Sequence, residues 1–217
     1  MADNGRRGYK TMTRILLDTY CKQGGATKGY QKAGFYVVGV DIEPQPRYCG
    51  DEFIQADAIE FLARHAREFD VIHASPPCQR YSTITRTAGT QDNHADLIAI
   101  TRTFLLASGK PYIIENVETA PLINPLLLCG TMFGLPFLRH RLFETNPPIY
   151  FAPAPCCHTR KTARHGRPAT ADEYVAFTGH FSGVARVQKE VGIDWMGQEG
   201  LRECVPPVFT EWLGKHF

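Results

Sequence analysis

Along the first two-thirds of the chain, short apolar runs alternate with segments whose apolar residues recur every three or four positions. That pattern predicts a mainly parallel sheet covered by helices. Ile15-Leu16-Leu17 reads as a strand ending in Asp18, followed by a turn at Gly24-Gly25 and a helix over about 26–33. Phe35 to Val40 is a β-rich run ending in Asp41, and Glu52 to Ala56 is a shorter one ending in Asp57. Ile59, Leu62, Ala63 and Ala66 give 58–68 a helical face, and 70–74 is the next strand, running into Ser75-Pro76-Pro77-Cys78-Gln79. A Thr-rich polar loop follows over 80–93, then an amphipathic helix over 96–107, then a strand at Tyr112-Ile113-Ile114 leading into Glu115-Asn116-Val117.

There the alternation ends. Thr119 to Leu138 carries no charge, but Pro121, Pro125, Gly130, Gly134 and Pro136 interrupt it, which predicts buried loops and short elements rather than a bilayer span. No membrane role is expected. From 146 to 190 the composition shifts to Pro, Cys, His, Arg and Gly with little periodicity. After Pro206-Pro207 the pattern turns helical again, and the last stretch is expected to pack back on the main body. The expected organisation is a main domain over 1–145 and 193–217, with 146–192 as a smaller unit.

Composition works mainly by exclusion. With 217 residues, 43% hydrophobic and 21% charged, the chain can bury a core and is neither disordered nor fibrous. Seven irregularly spaced cysteines argue against a disulfide framework and suit a reducing compartment. Met1 to Arg7 lacks the apolar stretch of a secretory signal, so a cytoplasmic protein is expected; the expected state is a monomer. The net charge of +2 says little. The distribution says more: Arg139, Arg141, Arg160, Lys161, Arg164 and Arg167 face a single acid, Glu144, between 139 and 167.

The chemistry gathers at the predicted strand ends. Glycines after a first strand let backbone approach a ligand, and an acid at the end of the next strand can accept hydrogen bonds from ribose hydroxyls; Gly24-Gly25 and Asp41 have that arrangement. Alone it fits helix packing as well as nucleotide binding, and Asp57 at a third strand end favours the latter. Pro76-Pro77 presents Cys78 rigidly just beyond a strand, where active sites of open αβ sheets lie. A free thiol with a pKa of about 8.5 is mostly protonated at neutral pH, so a nucleophile there needs help from its neighbours. A buried structural cysteine is the competing reading. Glu115 can face the same crevice, a thiol–carboxyl pairing suited to attack on a ring that accepts a proton. Cys156-Cys157-His158 with His165 raises the question of zinc, but adjacent cysteines chelate poorly and no second Cys-x-x-Cys pair exists; no metal is expected.

In this order the motifs resemble those of the DNA cytosine-5 methyltransferases, particularly short phage-borne members. Asp18-Thr19-Tyr20-Cys21-Lys22-Gln23-Gly24-Gly25 is similar to the family's S-adenosyl-L-methionine loop, Asp41-Ile42 to its ribose site and Asp57-Ala58 to its adenine site. Pro76-Pro77-Cys78-Gln79 with Ser82 resembles the nucleophile motif, Glu115-Asn116-Val117 the Glu-Asn-Val, Arg139-His140-Arg141 the Arg-x-Arg, and Val205-Pro206-Pro207 the closing motif.

The resemblance implies a Rossmann-like α/β methyltransferase fold with a mainly parallel twisted sheet and a small target-recognition region. It implies Cys78, Glu115, Arg139 and Arg141 as catalytic residues, and Asp18, Tyr20, Gly24, Gly25, Asp41, Ile42, Asp57, Ala58 and Pro77 at the donor. Gln79, Ser82, Arg160, Lys161, Arg164 and Arg167 are expected to contact double-stranded DNA. The chemistry implied is addition of the Cys78 thiolate to C6 of a flipped-out cytosine, while Glu115 holds the N3/N4 edge and Arg141 holds O2. The 80–93 loop is the candidate to close over that base. Three positions depart from the family: Lys22 for glycine, Phe137 for glutamine, and Arg202-Glu203 for Gly-Asn. Lys22 is expected to pair with the donor's carboxylate. The same chemistry on RNA or a free nucleotide, a modified donor, or DNA binding without turnover are the alternatives.

Overall fold

The computed structural model describes residues 13–78, 81, 96–163, 167–179 and 181–217. The predicted alternation is present: β1 (Ile15–Thr19), α1 (Gly25–Lys32), β2 (Tyr36–Asp41), β3 (Glu52–Gln55), α2 (Ala58–His65), β4 (Val71–Ala74), α3 (Leu97–Ser108) and β5 (Tyr112–Asn116). The alternation does give way after β5, but the sheet continues. β6 (Leu126–Leu128), β7 (Phe137–Leu138) and β8 (Arg141–Asn146) follow, of which β8 pairs antiparallel with β5 and β6 antiparallel with β8. Among the described residues the main sheet has seven strands in the order β3-β2-β1-β4-β5-β8-β6, the first five parallel.

The strands are buried on both faces. Leu16, Val37, Val71 and Ile113 point into one cluster, and their neighbours Leu17, Val38, Ile72 and Ile114 into another. The two-residue period of a strand sends successive side chains to opposite faces, so continuous apolar runs mark strands covered twice. On the second face lie α2 and α3, contributing Leu62 and Leu105. Each starts at an aspartate cap: Asp57 accepts from the amides of Ile59 and Glu60 at 2.9 Å each, and Asp96 accepts from that of Ile98 at 3.2 Å.

The first face is covered by α1 and by the C-terminal helix α6 (Pro207–Gly214), which packs back on the main sheet as the sequence predicts. The two helices cross where α1 has no side chain. A Cβ on Gly29 would lie 2.0 Å from Thr210 Oγ1 and 2.1 Å from the Pro207 carbonyl oxygen. Thr210 Oγ1 donates to the Ala26 carbonyl at 2.8 Å across the same crossing.

Between 146 and 206 the structure is more regular than the weak periodicity suggests. β9 (Val175–Ala176) pairs with β7, and two short helices, α4 (Val184–Val191) and α5 (Gln198–Glu203), precede α6. A two-turn helix offers too few apolar positions for a period to show. Val175, Phe177, Phe181, Val187 and Val191 join the same cluster as Leu16 and Ile113. β8 is braced by a buried fork: Arg102 of α3 donates to Glu144 at 2.8 and 2.7 Å, and the Ile123 amide donates to the same carboxylate at 2.8 Å. Glu144, counted in the sequence among charges of a basic surface stretch, is therefore an interior brace.

Gly29→Ala is expected to lose about 3 kcal/mol, because the opposing atoms at the crossing include backbone that has nowhere to move. Denaturant unfolding followed by circular dichroism checks this; an unchanged midpoint would contradict the close crossing.

Candidate active site

The strand order reverses between β1 and β4, and in open αβ sheets the crevice beyond the C-terminal ends of such strands is where ligands bind. A cavity of about 330 Å³ lies there, within the range for small-molecule sites. Its walls come from the strand ends that the sequence marks: Asp18 in β1 and Tyr20 just after it, Asp41 in β2 and Ile42 just after it, Asp57 and Ala58 after β3, Pro77 and Cys78 after β4, Glu115 at the end of β5 and Arg141 at the start of β8. Gly25 lines it as well, and a Cβ there would lie 2.6 Å from the Val205 carbonyl oxygen, so the closing segment packs directly on this glycine. Gly24 is not among the lining residues; its positive φ of 86° forms the turn into α1.

At the donor end, both Asp41 oxygens receive backbone amides: Lys22 N–H to Oδ2 at 3.0 Å and Glu43 N–H to Oδ1 at 3.1 Å. These bonds fix the carboxylate while leaving lone pairs for a ligand. Asp57 spends Oδ1 on the α2 cap. Asp18 is fully enclosed; its Oδ2 accepts from Thr27 at 2.5 Å and its Oδ1 has no hydrogen-bond partner among the described residues. Burial lifts its carboxyl to about 7, against the pull of the Thr27 hydrogen bonds, so a positive group entering the cavity would be bound and would draw the proton off. The backbone of Lys22 has φ 46°, the left-handed region, which is the physical reason a glycine suits this position. Its ammonium pairs with Glu43 at 2.9 Å, so the expected free partner for a donor carboxylate is already engaged.

At the reactive end, Pro76 and Pro77 carry Cys78 out of β4, and Asn116 of β5 holds that loop by donating to the Pro76 carbonyl at 2.9 Å. His73, fully buried, links Tyr30 (2.9 Å) to Ser75 (2.8 Å), and burial pushes it down to about 3, so it stays neutral as a brace under the loop. Glu115 Oε1 lies 2.7 Å from Arg141 Nε, but without hydrogen-bond alignment, and has no hydrogen-bond partner. The carboxylate is thus charge-compensated, its Oε1 is buried without a hydrogen bond among the described residues, and the Glu115 side chain lines the cavity. Burial and then Glu115 raise the Cys78 thiol, while Arg141 and Arg139 pull it down. Cys78 as a residue is half-buried.

Of the six basic residues grouped in the sequence, the five that are described separate in space. Arg139 does not line the cavity, contrary to its expected role at the reacting ring: it is buried and donates to the carbonyls of Arg202 and Cys204 at 2.8 and 2.9 Å. Burial and the neighbouring Arg141 bring its guanidinium down to about 9, still charged at neutral pH. It positions the wall at 202–205. Arg160 and Lys161 are exposed, and Arg160 lies 5.9 Å from the Tyr174 ring centre. Arg167 forms a fork with Glu173 at 2.7 and 2.5 Å, an acid just beyond the stretch in which the basic residues were counted. Gln79, Ser82, Arg164 and, apart from Tyr81, the 80–93 loop lie outside the described residues.

Sequence reasoning did not anticipate Leu97, Met196 and Gly200 in the cavity wall. They are an ordinary helix start and two positions in the irregular C-terminal third, and nothing in their local pattern signals a ligand.

Residues 16–121 match the model of the C-5 cytosine-specific DNA methylase family. No curated protein matches the sequence. Among solved structures, an E. coli protein described as a DNA modification methyltransferase encoded within a prophage is 19% identical with a TM-score of 0.45, over 60% of this chain and 45% of that one. S. pombe Dnmt2 methyltransferase is 18% identical, TM-score 0.47, over 62% and 49%. The chain thus spans about half the length of these two. The Entamoeba histolytica methyltransferase EhMeth is 12% identical but covers 93% of this chain and 97% of its own, with a TM-score of 0.55. The fold is the Rossmann-like one of S-adenosylmethionine-dependent methyltransferases.

Because Glu115 opposes ionisation of Cys78, Glu115→Gln is expected to lower the pH at which Cys78 becomes reactive to iodoacetamide, and Arg141→Gln to raise it. Peptide-resolved alkylation rates between pH 6 and 10 measure both shifts; identical profiles for the three proteins would show that the charges do not act on the sulfur.

Proposed function

We propose that this chain, which carries a C-5 cytosine-specific DNA methylase domain over residues 16–121, methylates C5 of cytosine in double-stranded DNA with S-adenosyl-L-methionine as donor. The observation that carries the reading is one cavity that joins Cys78, Glu115 and Arg141 to Asp18, Asp41 and Asp57. Bound there, the donor supplies an electrophilic methyl on a sulfonium. Asp41 would hold ribose hydroxyls, Asp57 the adenine side, and Ile42, 65% exposed at the cavity mouth, offers apolar surface for an adenine face. The unpartnered oxygen of Asp18 would take the donor's positive end.

The base-side residues act in sequence. Cytosine C5 is a weak nucleophile, so the Cys78 thiolate adds to C6 and the electron pair of the C5–C6 bond moves toward C5. Glu115, whose Oε1 has no hydrogen-bond partner, takes the N3/N4 edge and stabilises the protonated ring. Arg141, already paired with Glu115, takes O2. After methyl transfer to C5, a base removes the C5 proton and the electron pair returns to expel the thiolate, restoring Cys78. Ring positions 5 and 6 are inaccessible in a stacked duplex, so the cytosine must be extruded, at a cost of a few kcal/mol.

The 146–192 region is the target reader, with Arg160 and Lys161 exposed for phosphate contact. A reader this small has few side chains to discriminate base edges, so the site should be about two to four base pairs.

Labelled donor incubated with duplex DNA, RNA or dCTP should label the duplex, and Cys78→Ser should reduce labelling to background. The wild type should form a covalent complex on 5-fluorocytosine duplex that Cys78→Ser does not. Label in RNA or dCTP alone would overturn the substrate assignment, and unimpaired turnover by Cys78→Ser would overturn the mechanism. Bisulfite sequencing of treated random DNA should return a short motif, and a six-base motif would contradict the small reader.

A further inference from the structure

Away from the cavity, four soft ligand atoms converge where the sequence reading expected no metal. We propose that Cys129, His140, Cys156 and His158 form a structural zinc site that pins the 146–163 segment to the main sheet.

The four ligand atoms lie within 4.8 Å of one another. His140 Nε2 and His158 Nε2 are 3.3 Å apart; Cys156 Sγ is 3.5 Å from the first and 3.1 Å from the second; Cys129 Sγ is 3.5 Å from His158 Nε2. With Zn–N of about 2.05 Å and Zn–S of about 2.3 Å, a tetrahedral ion requires about 3.3 Å between two nitrogens and about 3.6 Å between nitrogen and sulfur. The nitrogen pair meets that edge, two of the sulfur contacts come within about 0.1 Å of theirs, and the 3.1 Å Cys156–His158 contact would have to open by about 0.5 Å as the ion enters. Two cysteines and two histidines in this arrangement favour zinc over the oxygen-loving ions.

Half the site is set by the sheet. β6 and β8 pair Leu128 with Arg141, and the next antiparallel pair places Cys129 opposite His140. Cys156 and His158 arrive from the following loop. His140 Nδ1 meets Glu118 Oε1 at 2.9 Å, the carboxylate partner that fixes a metal-binding imidazole with its other nitrogen's lone pair outward. Thr131 Oγ1 donates to Cys129 Sγ at 3.3 Å, supporting a thiolate. Without a cation, two imidazole nitrogens and two sulfurs would share this space with few protons between them. On binding, both thiols lose their protons to solvent and each sulfur gives a lone pair to the ion.

The sequence weighed Cys156, Cys157 and His158 with His165. Cys157 does not join the cluster; its carbonyl accepts from Tyr174 Oη at 3.3 Å. His165 lies outside the described residues. The missing half of the ligand set is supplied by Cys129 and His140, remote in sequence.

The test is metal content of tag-free protein purified without chelator, measured by plasma mass spectrometry, together with cobalt(II) uptake by the reduced, metal-stripped protein. The expected result is about one zinc per chain and the intense visible absorption of tetrahedral thiolate-bound cobalt. Cys156→Ser and His158→Asn, both at exposed positions, should lower zinc at least tenfold while retaining the wild-type circular dichroism spectrum, and Cys157→Ser should keep it. Reduced wild-type protein that neither carries zinc nor binds cobalt tetrahedrally would overturn the proposal, as would equal zinc in Cys156→Ser and wild type. The readout is independent of methyl transfer.

Discussion

The antiparallel pairing of β8 against β5 is the constraint on which the rest of the site depends. By adding a reversed strand to a parallel sheet, it brings Arg141 to the end of β5, where Glu115 stands 2.7 Å away. The same strand seats Glu144 in the fork of Arg102 and carries His140 to Cys129 across from β6. Reactive end, interior brace and cysteine–histidine cluster are thus three consequences of one register. A shift by a single residue would turn every side chain of β8 to the opposite face and undo all three.

Around that strand the protein stores charge in tension. Asp18 is buried with one oxygen unpartnered, Glu115 is buried beside an arginine without an aligned hydrogen bond, and Cys78 is held toward its neutral form by burial and by Glu115. Each group would gain from a polar or charged ligand more than from its present surroundings. Unsatisfied groups of this kind are costly in a folded chain and are tolerated where binding discharges them. By contrast the supports are engaged: Asn116 on the Pro76 carbonyl, His73 between Tyr30 and Ser75, and Nη2 of Arg139 on the carbonyls of Arg202 and Cys204. Rigid supports around open groups are what a preorganised site requires.

Arg139 and Arg141 show how two residues of one motif divide the work. Successive side chains of extended backbone point opposite ways, so positions 139 and 141 share a direction, yet only Arg141 reaches the cavity. Arg139 is drawn into the junction with the 202–205 segment, where its Nη2 donates to the carbonyls of both Arg202 and Cys204. The positive charge near Cys78 therefore comes from both, one by facing the cavity and one from behind its wall.

The elements from β1 to β5 were legible because local physics fixes them: apolar runs of strand length, helical apolar spacing, and two prolines that present Cys78. Because a parallel sheet aligns its strand ends, that pattern put Asp18, Asp41, Asp57, Cys78 and Glu115 at successive strand ends, and the resemblance to a family, not the pattern alone, joined them into one site. What the chain order could not convey is proximity created by long-range pairing. The burial of Arg139, the capture of Lys22 by Glu43 and of Arg167 by Glu173, and the meeting of Cys129 and His140 with Cys156 and His158 all depend on which surfaces come together. Local sequence sets a residue's conformation and direction; only the packed fold decides which other residue waits there.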